Sequence, residues 1–146
     1  MNIFRQSATL LLRLIAVGVA LSCAGHSGFA LSQQVKVQLT GAQEIPPVET
    51  SASGIGILSV AADKSVSGSV TVSGMSVTVA HIHEAGAGTT GLIIIPLTKT
   101  SDTVWTVPAD AKLTDAQYES FKAGNLYFNV HSAGHKTGEV RGQIRP

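Results

Sequence analysis

His81-Ile82-His83 is the segment whose residue types and spacing suit metal chemistry most directly. Side chains alternate faces along a strand, so His81 and His83 point one way and Ile82 the other. Two residues advance a strand by about 6.6 Å, close enough for both imidazoles to lean onto one ion at ~2.0–2.1 Å. The same pair also suits two histidines on the open face of a sheet. A second cluster follows in Leu126-Tyr127-Phe128-Asn129-Val130-His131. Leu126, Phe128 and Val130 share a face that reads as core, while Tyr127, Asn129 and His131 share the other. His135 comes after the turn Ser132-Ala133-Gly134. Three or four imidazoles with no thiolate suit copper or zinc, with copper ahead of zinc for an exported protein.

Three charged residues flank these clusters. Glu84 and Glu139 are placed to orient an imidazole or hold a proton. Arg141 shares an outward face with Glu139 and Gln143, where it could attract an anion or pair with a neighbouring acid. The histidines lie on the face away from the expected core. Replacing them is therefore expected to leave the stability of the metal-free fold almost unchanged.

The elements that must position these groups are strands at short intervals, the pattern of an all-β sandwich or barrel. Alternation marks Val35 to Thr40, Gly54 to Ala61 after the Pro46-Pro47 break, and Ser65 to Val72. The short turn at Asp63-Lys64 joins the last two as a hairpin. Val77 to His83, Leu92 to Leu97, Thr103 to Val107, Leu126 to His131 and Gly138 to Ile144 complete the set. One helix interrupts them. Thr114-Asp115-Ala116-Gln117 is a capping box, and Gly124 suits the left-handed residue that ends a helix, so a helix of about ten residues is expected from Thr114 to Ala123. Gly86, Gly88 and Gly91 spell a dinucleotide-type glycine pattern, but it joins two strands where such a site needs a strand and a helix. It reads as a loop.

Residues 1–30 read as a secretory leader. Arg5 and Arg13 precede an eleven-residue apolar run, Leu14 to Ala24, too short to span a membrane, and Gly28-Phe29-Ala30 offers a cleavage site. A mature chain from Leu31 to Pro146 is expected, periplasmic or secreted, with lipidation of Cys23 as the alternative. Cys23 is the sole cysteine, which excludes an intramolecular disulfide and a thiolate zinc knuckle. The 146 residues carry ten basic and nine acidic side chains, and cleavage removes two arginines and no acid. That balance offers no basic footprint for nucleic acid.

Four motifs in order, Leu39-Thr40-Gly41-Ala42-Gln43-Glu44-Ile45-Pro46-Pro47-Val48, Ala80-His81-Ile82-His83, Gly124 to His131, and Gly138-Glu139-Val140-Arg141-Gly142-Gln143-Ile144, closely resemble the CHRD domain, first described in chordin. The resemblance spans Val35 to the C-terminus and implies an immunoglobulin-like or related β-barrel. A looser one is to the copper-ligand strands of copper–zinc superoxide dismutases. It implies a Greek-key-like barrel with His81, His83 and His131 as copper ligands and His135 as a possible fourth. The chain departs from that family in lacking a zinc-bridging histidine, the zinc loop, the disulfide and a counterpart of the catalytic arginine. At most it implies a copper-only site. Three functions follow: copper-dependent superoxide dismutation, a non-catalytic copper carrier or buffer, and a metal-free extracellular interaction module.

Overall fold

The computed structural model describes residues 32–146. The expected leader at 1–30, Cys23 and the expected mature start at Leu31 lie outside the described residues. Nine strands run in the order β1 Gln33–Thr40, β2 Ser53–Val60, β3 Val66–Ser73, β4 Val77–Glu84, β5 Leu92–Pro96, β6 Thr98–Lys99, β7 Val104–Thr106, β8 Leu126–Ser132 and β9 Val140–Ile144. One helix, α1 Asp115–Lys122, lies between β7 and β8. All pairings are antiparallel, and the sheet order is β5-β4-β8-β9-β1-β2-β3-β7-β6. The all-β architecture with one short helix is the one expected, a nearly closed barrel.

The run from Leu92 to Lys99 is where the strands differ from the alternation. It divides into β5, paired with β4, and β6, paired with β7. The two ends of the sheet order are thus a single stretch of chain broken only at Leu97. Pro96 has no N–H to continue a ladder, and the Leu97 N–H donates to the Ala80 carbonyl at 2.9 Å. One segment therefore brings the two sheet edges together. The last strand also starts later than expected, at Val140, because Gly138 has φ +132° and breaks the extended run.

Alternation fills the barrel. Val35, Val37, Leu39, Leu58, Val60, Val70, Val72, Ile82, Phe128, Val130, Val140 and Ile144 form a shared apolar core. Capping fixes α1: Thr114 accepts from the Gln117 N–H, and the Gln117 side chain accepts from the Thr114 N–H. Gly124 follows with φ +74°. Among the described residues, no helix is long and apolar enough to cross a membrane.

Gly142 sets how closely β9 approaches β1. A Cβ there would lie 2.5 Å from Val37 Cγ1 and 2.8 Å from the Gln38 carbonyl oxygen. Gly142→Ala should therefore overpack the barrel and cost about 1–3 kcal/mol. Urea unfolding checks this; a midpoint equal to that of the wild type would contradict the packing described.

Candidate metal site

The outer face of β4, β8 and β9 carries the chemistry, and strand register assembles it. His81 sits opposite Asn129, which sits opposite Arg141; His83 sits opposite Tyr127, which sits opposite Gln143. His131 extends the β8 row opposite Val79. The register therefore draws His81, His83 and His131 from two strands into one cluster, with one ligand atom of each within 4.8 Å of the others. His81 Nδ1 and His131 Nε2 lie 3.3 Å apart. Two donors ~2.0–2.1 Å from one ion at tetrahedral angles would be separated by about 3.3 Å. This pair already has the span of two metal ligands.

Backbone carbonyls orient two of the rings. His83 Nδ1 lies 2.9 Å from the Gly91 carbonyl oxygen, and His131 Nδ1 lies 3.0 Å from that of Lys136. A carbonyl only accepts, so each Nδ1 carries the proton and each Nε2 presents a lone pair, that of His131 within hydrogen-bond reach of His81 Nδ1. That arrangement is the one in which histidines bind metals. His83 Nε2 is buried with no hydrogen-bond partner. Burial, reinforced by the neighbouring His131 and His83, pushes the His81 imidazole down to about 4. His83 is held below its ordinary value by burial and by the Arg141 charge, against the opposing Gly91 hydrogen bond. His131 is lowered by burial and by His83, against the Lys136 hydrogen bond. At neutral pH all three are neutral bases.

His135 does not join this cluster. It is half-buried in the β8–β9 turn, where its N–H donates to the Ser132 carbonyl, and its charge acts on Glu139. Glu84 accepts from Ser120 Oγ at 2.5 Å and ties β4 to α1. Glu139 accepts from Thr50 Oγ1 at 2.7 Å. Burial raises its carboxyl, but hydrogen bonds from Ser132 and Thr50 and the His135 charge together hold it below its ordinary value.

Arg141 differs from both uses expected of it. It is only 2% exposed, and among the described residues it has no carboxylate within ion-pair distance. Its Nη1 donates to the Thr89 carbonyl at 2.7 Å, and its Nη2 donates to Gly86 at 3.1 Å and to Gln143 Oε1 at 2.9 Å. The glycine-rich segment is thus a loop, and Arg141 clasps it. The guanidinium also lies 3.6 Å from the centre of the Tyr127 ring, and His83 stacks on that ring at 4.9 Å with an interplanar angle of 14°. Since β4 and β9 lie on opposite sides of β8, Tyr127 sits between His83 and the arginine. The Tyr127 hydroxyl accepts from the Gly91 N–H at 3.1 Å.

The outer face is therefore a second, polar core. His83 is 9% exposed and His131 is 7% exposed, so replacing them touches packed side chains and leaves the Gly91 or Lys136 carbonyl without its donor. The premise of a stability-neutral site, histidines on an open face, therefore does not hold for His83 and His131. Strand alternation placed Tyr127 on the right face, yet nothing in the pattern gave it a role. No sequence pattern marks Glu44 either. It is buried beside Asn129 and Gly138, and burial pushes its carboxyl up to about 7, against the pull of Arg141, the Ile45 N–H and Asn129.

The fold and the site together define an all-β barrel whose outer face carries a three-histidine cluster able to hold a metal ion. The CHRD domain pattern matches residues 35–144, and the chain belongs to that family. No curated protein and no solved structure matches it.

The histidines make stability depend on pH in a defined direction. His81 ionises near 6.5 when unfolded and near 4 when folded, so between these values the unfolded chain binds more protons. Its contribution is complete above pH 6.5 and lost as the pH falls toward 4. Glu44 acts in the opposite sense: its folded value exceeds the ordinary 4.5, so its contribution is present below that and lost as the pH rises through about 7. Comparing wild type with His81→Gln isolates the first effect. Urea unfolding across pH 4 to 7 should show the wild type losing stability relative to the variant as the pH falls.

Proposed function

We propose that this chain is an exported CHRD-domain protein that holds one copper ion through His81, His83 and His131. The observation that carries this reading is the buried, partnerless Nε2 of His83 facing two further imidazoles. An orphaned buried polar atom costs about 1–3 kcal/mol, which coordination would relieve. Copper is preferred to zinc because an all-imidazole donor set suits it and an exported protein meets copper readily. Export rests on the leader at 1–30, with the periplasm or the cell exterior as destination, and N-terminal sequencing of the exported protein should read from Leu31. A lipidated Cys23 is the alternative start.

The reading divides over chemistry. A copper-only dismutase would cycle the ion with superoxide at an open position, and its substrate is an anion that a nearby cation would steer. Arg141 is only 2% exposed behind Tyr127, with three of its five N–H groups already bonded, so it lies out of reach of an incoming anion. This favours a carrier or buffer over a dismutase. Isothermal titration should show one copper per chain, with an accompanying rise in melting temperature by mass action. His81→Ala, His83→Ala and His131→Ala should each weaken binding by more than the roughly 100-fold that an outer partner commands, and His135→Ala should change it little. Failure to take up copper would leave the metal-free interaction module as the reading.

A further inference from the structure

We infer that the three-histidine cluster favours a monovalent ion, Cu(I), over Cu(II) and Zn(II). The inference rests on the copper reading above and adds the oxidation state. The donors carry no charge. His83 and His131 keep their Nδ1 protons on the Gly91 and Lys136 carbonyls and present neutral nitrogens. Among the described residues, no carboxylate or thiolate belongs to the cluster. The two flanking acids are turned to other partners, Glu84 to Ser120 and Glu139 to Thr50.

The surroundings add the positive charge of Arg141, against which stands buried Glu44, its carboxyl pushed up to about 7 by burial. The Arg141 guanidinium, 98% shielded from solvent, lies against the face of Tyr127, and Tyr127 stacks on the ligand His83. Taking an ion out of water costs free energy in proportion to the square of its charge, so a divalent ion meets about four times the penalty of a monovalent one. It also meets twice the repulsion from Arg141. Neutral nitrogen ligands bring no counter-charge to offset either cost. Copper ligated here is therefore stabilised in its lower oxidation state, and zinc, which has no such state, is disfavoured.

Val79 gives a handle on this charge balance that avoids the buried layer. It is 43% exposed, lies opposite His131 in the register and precedes His81 by two residues on the same strand. The test titrates the purified exported protein with Cu(I) under anaerobic reducing conditions, and separately with Cu(II) and Zn(II), each against a chelator of known affinity. Cu(I) should bind at least about tenfold more tightly than Cu(II), and each tenfold corresponds to ~59 mV in the one-electron potential of the bound ion. Val79→Glu should lower the Cu(I)-to-Cu(II) affinity ratio by about tenfold, Val79→Lys should raise it, and Val79→Gln should leave it unchanged. Equal or tighter binding of Cu(II), or a ratio indifferent to charge at Val79, overturns the preference while the copper site stands, whereas tighter binding of Zn(II) than of either copper ion overturns both. Binding of neither copper ion overturns both.

Discussion

Burying a guanidinium is among the most expensive things a small barrel can do, and this one buries Arg141 on the outside of its sheet. The cost is tolerable only if acceptors surround every face of the group. The Gly86 and Thr89 carbonyls and the Gln143 side chain supply them, and Tyr127 covers the plane. Arg141 thereby holds the segment from Gly86 to Gly91 against the sheet. That segment in turn delivers the Gly91 carbonyl to His83 and the Gly91 N–H to Tyr127. The tautomer of a candidate metal ligand thus depends on an arginine two strands away.

The barrel is consequently built around two layers of different chemistry on opposite faces of the same three strands. Inside, Ile82, Phe128, Val130, Val140 and Ile144 meet the apolar residues of β1, β2 and β3. Outside, His83, Tyr127, Asn129, His131 and Arg141 are nearly as buried, but their packing is set by hydrogen bonds and stacking. Every residue of β8 is buried, which a strand with one wet face would not show. Such a polar layer is rigid when satisfied, and the His83 nitrogen left without a partner is an exception to that satisfaction.

Much of this was legible in the residue pattern, for reasons that also explain what was not. Period-two alternation located the strands, and the Thr114–Gln117 box located the helix, because both follow from local geometry. The same alternation put His81 with His83 and Tyr127 with His131. It cannot say what lies above a face, so Tyr127, Asn129 and His131 read as a wet surface when loops in fact cover them. Arg141 read as an ion-pair partner because its acceptors are backbone carbonyls, which every residue possesses and no sequence pattern marks. The Gly91 and Lys136 carbonyls escaped for the same reason. The division at Leu97 was hidden because one apolar run serves two sheet edges.

Three neutral imidazoles, two of them oriented by carbonyls, walled by an arginine and with no carboxylate in the cluster, make a site defined as much by what it omits as by what it contains. The account stands on their acting together on one ion. X-ray absorption of the copper-loaded protein measures that most directly. The account predicts a first shell of nitrogen at about 2 Å with the outer-shell scattering of three imidazoles and no sulfur. A shell of oxygen alone, or one that is unchanged in His83→Ala, would contradict it.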